Sequence, residues 1–192
     1  MKLGLTGGIG CGKSTVVGLF AQRGWRTVQS DALVRDLLAE DVDLHCEIIE
    51  RWGQSIKSSE GGVSRKAIAQ IVFQDPAELK WLEAKLHPKV RYLWEKAIDE
   101  AGNEDILIEI PLLFEKRLET AFDLTVCVSS PPEVVSERMI GRGYSKAEVE
   151  QRRLHQMPLS EKIQRADYVI SNAGSIEFLE EQISRLIKCI RR

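Results

Sequence analysis

The chain has 192 residues and carries 27 Lys and Arg against 29 Asp and Glu, a formal net charge of −2. That length supports one sizeable core with room for small inserted lobes, and that charge gives no electrostatic case for a nucleic-acid partner. No apolar run approaches membrane-spanning length, and Cys11, Cys46, Cys127 and Cys189 lack C-x-x-C spacing. Reduced thiols of a cytoplasmic protein are therefore expected rather than a disulfide frame or a zinc site.

The N-terminus runs directly into residues 2–5, a short apolar segment that reads as a buried strand, so no signal peptide is expected. Next comes Gly7-Gly8-Ile9-Gly10-Cys11-Gly12-Lys13-Ser14, then Thr15, with the pattern G-x-x-x-x-G-K-S. Residues 14–22 are proline-free and apolar at Val16, Val17, Leu19 and Phe20, which suits a helix. Strand, glycine-rich loop and helix in this order are the context of a phosphate-binding loop. Its glycines admit positive φ and bring successive N–H groups onto phosphate oxygens, and the helix adds its N-terminal dipole. Gly8, Gly10, Cys11, Gly12, Lys13, Ser14 and Thr15 are thus expected to bind ATP. Lys13 would reach the β- and γ-phosphates, and the Ser14 hydroxyl would ligate Mg²⁺.

Gly24 reads as a helix C-cap, and residues 25–29 as a second strand ending at Ser30 and Asp31. Ligands of open α/β sheets bind at the carboxyl ends of strands, which places Asp31 on the same rim as the phosphate loop. Its ordinary alternative is the N-cap of a helix over 32–39. Arg35, one turn on, can pair with Asp31 or face an anionic ligand. From about 41 to 102 the pattern is wholly helical: helices over 42–52, from Ser64 to about 73, from Asp75-Pro76 to 86, and over 90–101, with a polar loop at 58–62 and a break at His87-Pro88. So many consecutive helices depart from a βαβ rhythm and read as an inserted lobe, with Trp52, Phe73, Trp81 and Trp94 as its core. His87 reads as a structural turn residue, with contact to substrate as the alternative.

The βαβ rhythm resumes at a strand over 106–110. It carries Glu109 near its carboxyl end, where a carboxylate is costly unless paired or facing a site. A strand over 124–128 is continuously apolar, hence covered on both faces and parallel. Pro131-Pro132 opens a helix to about 140, on which Arg138 and, four residues on, Arg142 share a face or its continuation. Residues 145–156 are polar, carry Arg152 and Arg153, and lie between Gly141 and Gly143 on one side and Pro158 on the other. They read as a hinged flap or as a solvated surface helix. A last strand over 168–171 exits through Asn172-Ala173-Gly174 to an amphipathic helix over 176–190. His45 and His155 have no partner at metal-ligand spacing and read as ordinary surface or packing residues.

A phosphate loop calls for a nucleoside triphosphate and Mg²⁺, and the γ-phosphoryl group then goes to water or to a small acceptor. Mobile arginines on a lid favour the acceptor, because closure excludes water. A guanine-reading N-K-x-D is absent, as is a D-x-x-G after the third strand, which weighs against a switch GTPase. A kinase with another acceptor, or a nucleotide-dependent switch whose lobe binds a protein, remain the competing readings.

Over nearly its whole length the sequence resembles the dephospho-coenzyme A kinase family. Residues 5–14 match L-T-G-G-I-G-S-G-K-S except for Cys11, and residues 29–35 match D-A-D-x-x-A-R except for Gln29 at the first acid, Ser30 at the first Ala and Val34 at the second Ala. Arg65 opens a helix ending in Val72-Phe73. Leu82-Glu83 precedes His87-Pro88-Lys89-Val90, the H-P-x-V motif, and Pro111 to Glu115 is P-L-L-F-E. Arg138 and Arg142 match R-x-x-x-R, Arg152 to Gln156 is similar to R-x-x-x-Q, and Ala166, Asp167, Ile170 and Asn172 match A-D-x-x-I-x-N. The resemblance implies phosphorylation of the ribose 3′-hydroxyl of dephospho-CoA by ATP, the last step of coenzyme A synthesis. It implies an α/β phosphate-loop NTPase fold, a three-layer α/β/α parallel sheet made of 1–40, 103–140 and 157–192, with a helical CoA lobe at 41–102 and a small helical lid at 141–156. It makes Asp31 the base near the 3′-hydroxyl. Arg35, Arg65, His87, Pro111, Leu112 and Leu113 would line the acceptor site, Arg138 and Arg142 would meet the phosphates, and the loop at Asn172 would lie near adenine. Cys11 should be tolerated, because backbone N–H groups bind the phosphates, though its thiol would be exposed to oxidation. With Gln29 in place of the first aspartate, the catalytic role falls on Asp31 alone. A monomer acting on ATP and dephospho-CoA is expected, with an oligomer left open and no membrane or nucleic-acid partner.

Overall fold

The computed structural model of the chain describes residues 1–58, 62–154 and 156–191. Most of the 58–62 loop and His155 lie outside the described residues. The chain divides into two compact units, residues 1–29 with 100–192, and residues 30–99.

The first unit is built on a five-stranded sheet. Strands β1 (Lys2–Gly7), β2 (Arg26–Gln29), β3 (Ile106–Glu109), β4 (Leu124–Ser129) and β5 (Tyr168–Ser171) run in the order β2-β3-β1-β4-β5. Every pairing is parallel. The apolar runs of β1, β3 and β4 explain this arrangement. Leu3, Leu5, Leu107, Ile108, Val126 and Val128 are fully buried, so both faces of the central strands are covered by helices, as parallel sheets require. Helices α1 (Lys13–Ala21), α6 (Pro132–Gly141), α7 (Lys146–Leu154), α8 (Leu159–Arg165) and α9 (Ile176–Ile190) belong to this unit. Helix α9 starts at Ser175, whose side chain accepts a hydrogen bond from the Phe178 N–H, and it buries Leu179, Ile183, Leu186 and Ile187. Phe20 and Trp25 meet edge to face at 5.2 Å. α8 was not expected from the sequence, where residues 159–165 are mostly polar.

The second unit is helical: α2 (Ser30–Glu40), α3 (Val42–Trp52), α4 (Arg65–Gln74) and α5 (Pro76–Ala101), the last of which carries the chain back into the first unit. Its core gathers Leu38, Leu44, Ile48, Ile56, Ile68, Val72, Leu82 and Leu86. The helix starts are specified locally. The Asp41 carboxylate accepts from the Leu44 N–H at 2.8 Å, and the Ser64 hydroxyl accepts from the Ala67 N–H at 3.3 Å.

Three expectations are corrected here. His87-Pro88 does not break a helix, since α5 runs uninterrupted through Pro88. Pro88 has no N–H to donate, but Leu82, Leu86, Val90, Trp94 and Ile98 stay in phase at four-residue steps and are all buried, so burial outweighs the lost hydrogen bond. Phe73 is not core: it is 69% exposed, because Ile68 and Val72 occupy the inward face of α4. Asp31 is not an N-cap, because α2 already starts at Ser30 and Asp31 lies inside its first turn.

Candidate functional site

The phosphate loop leaves the middle of the first unit's sheet, where β1 is flanked by β3 and β4, and passes at once into α1. Gly12 caps α1 in the left-handed region (φ 84°, ψ 33°). A Cβ at this position would also come within 2.1 Å of Asn172 Nδ2, so both conformation and space demand glycine. The Lys13 ammonium donates to the carbonyls of Gly7 (3.3 Å) and Gly8 (3.1 Å), which holds it over the loop. Ser14 and Thr15 are exposed in the first turn of α1.

The loop is braced from three other elements. Asn172, just beyond β5, donates from Nδ2 to the Cys11 carbonyl at 2.9 Å. Ser130, just beyond β4, places its hydroxyl 3.2 Å from that same carbonyl and 2.8 Å from the Asn172 carbonyl. Arg138 of α6 donates to the Ser130 hydroxyl at 3.2 Å and to Asn172 Oδ1 at 3.3 Å. Asn172 and Ser130 are both buried, so these bonds are made away from water, where a missing partner is costly.

Beside this brace lies a cleft of ≈ 310 Å³, lined by Gly12, Thr15, Arg138, Arg142, Asn172, Gly174 and Ile176. Five of these were expected from the sequence to bind the nucleotide, and the fold gathers them in one place. Arg142 is exposed at the C-cap of α6, where the helix dipole favours a cation. Gly174 and Ile176 were not foreseen as site residues, although they follow directly on the Asn172 loop that was. Ser130 was missed altogether, since a serine after a strand carries no signal of its own.

The thiol of Cys11 is enclosed. Its side chain is 1% exposed and packs into the sheet's core, so the expected exposure to oxidation is corrected. Cys127 is equally enclosed, and burial pushes its thiol up to about 11; it stays protonated and unreactive. Cys46 and Cys189 are the exposed thiols.

At the end of β3, Glu109 is 5% exposed and registers with Gln29 of β2 and Leu5 of β1. Pro111 and Leu112 follow, half-buried. Leu113 does not present its side chain to a ligand, because it is fully buried against Gly4, where an added Cβ would come within 2.8 Å of it. The Pro111 carbonyl accepts from the Thr6 hydroxyl at 3.1 Å and from the Lys162 ammonium at 2.6 Å. Lys162 is completely buried and pairs with Glu115 Oε1 at 2.8 Å. Burial pushes this ammonium below its ordinary value, against the pull of the Glu115 carboxylate. The same Oε1 accepts from the Met157 N–H at 2.8 Å. Glu115 stood in a recognisable motif; Lys162 did not.

Helix α7 carries the arginines of the expected flap. Val149 is buried in the core of the first unit, and Tyr144 packs there too, with the Arg152 guanidinium 5.0 Å from the Tyr144 ring centre. In the second unit, Asp31, Arg35, Arg65 and His87 are all exposed. Asp31 stands two residues beyond the end of β2, one turn before Arg35.

A family model described as dephospho-CoA kinase matches residues 1–177. The chain is 39% identical to the dephospho-CoA kinase of Thermosynechococcus vestitus, over 100% of this chain and 96% of that one. It is 36% identical to the enzyme of the same name from Aquifex aeolicus, over 100% and 98%. Among solved structures it is similar to dephospho-CoA kinase from Campylobacter jejuni (TM-score 0.72, 26% identity, 99% and 98% covered). It is also similar to TT1252 from Thermus thermophilus (TM-score 0.79, 36% identity, 98% and 96% covered). Shikimate kinase from Bacteroides thetaiotaomicron shares the fold at 16% identity, with a TM-score of 0.55 and 100% and 99% covered.

Proposed function

The chain belongs to the dephospho-CoA kinase family, and on that premise we propose how its residues divide the transfer of the ATP γ-phosphoryl group to the ribose 3′-hydroxyl of dephospho-CoA. The observation that carries the proposal is the cleft beside the phosphate loop, where Gly12, Thr15, Arg138, Arg142 and Asn172 converge. The loop's N–H groups and Lys13 bind the β- and γ-phosphates. Arg138 braces the loop through Ser130 and Asn172 and contributes its own charge. Arg142, exposed at the end of α6, meets the charge that spreads over the transferring group in a loose transition state. An arginine in that position is worth about 10³–10⁵ in rate in some systems. Gly174, Ile176 and the Asn172 loop border the adenine.

Among the described residues no three His, Cys, Asp or Glu side chains gather into a metal-binding group, and the exposed Ser14 hydroxyl is a hard-oxygen donor at the loop's end. That donor suits Mg²⁺, which keeps waters and phosphate oxygens as its main ligands. When bound, the ion neutralises phosphate charge.

On the acceptor side Asp31 takes the 3′-hydroxyl proton, and its exposure leaves it available for that hydroxyl. Arg35, Arg65 and His87 on the second unit, and Pro111 and Leu112 on the first, each serve dephospho-CoA. Leu113 supports the turn from beneath. The helical lobe holds the CoA moiety, and 141–156 acts as a lid that excludes water. The protein works in the cytoplasm on small molecules, as a monomer with an oligomer left open, and without a membrane or nucleic-acid partner; the net charge of −2 argues against nucleic acid.

The test is ADP release from Mg·ATP with dephospho-CoA, adenosine or AMP as acceptor. Stimulation by dephospho-CoA alone, with CoA appearing in step with ADP, is expected. ADP release indifferent to dephospho-CoA would overturn the reading.

A further inference from the structure

Lys162 and Glu115 form a buried ion pair to which none of the roles above has been given. Lys162 sits on α8 with 0% of its side chain exposed. Its ammonium lies 2.6 Å from the Pro111 carbonyl and 2.8 Å from Glu115 Oε1. Each of these two acceptors has a second donor. The Pro111 carbonyl also receives the Thr6 hydroxyl at 3.1 Å, and Thr6 is the residue before the first glycine of the phosphate loop. Glu115 Oε1 also receives the Met157 N–H at 2.8 Å, where the chain returns from residues 141–156. The other carboxylate oxygen, Oε2, is buried and takes no hydrogen bond among the described residues. Leu159, on the same helix as Lys162, lies 3.7 Å from where a Cβ on Gly8 would stand.

One ammonium and one carboxylate therefore join two backbones, the turn bearing Pro111 and Leu112 and the root of the lid, and the Thr6 hydroxyl ties that turn to the end of β1. A buried ion pair is a poor way to gain stability, because apolar residues of similar volume commonly do as well or better. What the pair does supply is direction. The carbonyl of Pro111 is fixed between two donors, and so is the carboxylate oxygen of Glu115.

We propose that Lys162 and Glu115 are positioning residues for phosphoryl transfer: they hold the Pro111–Leu112 turn in register with the phosphate loop and tie the root of the lid to that turn. The proposal rests on the reading that this turn faces dephospho-CoA. Misplacement of a reacting partner by about 1 Å can cost about 10²-fold in rate, and the pair's own bonds to backbone fall on the Pro111 carbonyl and the Met157 N–H, outside the phosphate loop itself.

The experiment compares Lys162→Met, Glu115→Gln and the double variant Lys162→Met/Glu115→Leu. Measured for each are KM for dephospho-CoA, KM for ATP, kcat, ADP formed per CoA, and the melting temperature. Lys162→Met alone strands the Glu115 carboxylate and should melt well below the parent protein. The double variant removes both charges and should melt near it. The double variant should nevertheless keep a KM for dephospho-CoA raised about tenfold and release more than one ADP per CoA, with KM for ATP within about twofold of the parent protein. Glu115→Gln keeps the volume and an acceptor oxygen and should fall between. A double variant with the parent's acceptor KM and one ADP per CoA would show the pair to be structural only. Equal rises in both KM values would show general damage to the loop and would equally overturn the proposal. Leu112→Ala separates the two layers: if it leaves the acceptor KM unchanged, the turn does not face the acceptor and the underlying reading fails. If it raises that KM while the double variant does not, the pair alone is refuted.

Discussion

In the first unit part of the machinery assigned to the nucleotide, the loop at Cys11 with Arg138 and Asn172, is tied down by partners far away in the chain, whereas in the second the groups assigned to the acceptor are exposed. The Cys11 carbonyl is held by Ser130 and Asn172, which Arg138 bridges, so the loop is braced by the protein's own groups. Asp31, Arg35, Arg65 and His87 are exposed. The difference teaches that the loop assigned to the phosphates is braced by buried hydrogen bonds, which favours electrostatic stabilisation without reorganisation, while the charges assigned to the acceptor lie at the surface.

The largest effect should come from the braced loop. Lys13→Ala should lower kcat/KM by about 10³-fold, since it removes a fixed charge from the phosphates, while circular dichroism and melting stay close to the parent protein. Steady-state kinetics with both substrates checks this.

Asp31→Asn probes the other side of the comparison. It should cut kcat by about 10²-fold and leave KM for ATP and the melting temperature unchanged, because Asp31 is exposed and caps nothing. Near-full turnover in this variant would remove Asp31 as the base.

Asn172→Ala should act on the nucleotide side only. It deprives the buried Cys11 carbonyl of one donor and Arg138 of one acceptor, a loss of about 1–3 kcal/mol, and KM for ATP should rise about tenfold with KM for dephospho-CoA little changed. A rise in the acceptor KM instead would blur the division between the two units.

The smallest effect concerns the second unit's own stability. The hydrogen bond from Lys89 to Asp41, 2.7 Å long, holds the Asp41 carboxyl below its ordinary value of 3.8. A depressed carboxyl stabilises the fold above the unfolded value, and that contribution is lost as pH falls through the folded value. Asp41→Asn keeps a good helix cap and should cost less than about 1 kcal/mol at pH 7. The gap from the parent protein in urea unfolding should close below about pH 4.

The parallel sheet and the phosphate loop were legible in the sequence because their signals are local: continuous apolar runs for the strands, and a glycine pattern between a strand and a helix for the loop. The cleft gathers Gly12 and Thr15, expected from that glycine pattern, with Arg138, Arg142 and Asn172, whose roles came from the resemblance. At His87-Pro88 a local signal misled. The proline spoke for a break, while the apolar stripe from Leu82 to Ile98 kept helical phase across it and carried more burial. Phe73 misled in the opposite sense, since an aromatic side chain next to Val72 lies about 100° round the helix from the inward face. Ser130 and Lys162 had no local signal at all. Their roles depend on partners brought close only by the sheet, and a lysine in a polar stretch reads as surface until its carboxylate is found.

The distribution of thiols has a practical consequence. The two cysteines enclosed near the phosphate loop are shielded, and the two exposed ones fall one in each unit, Cys46 on α3 and Cys189 on α9. Maleimide dyes should therefore attach to the unaltered chain at one point per unit without entering the nucleotide cleft. Energy transfer between them would then read the separation of the two units directly as ATP, dephospho-CoA or both are added.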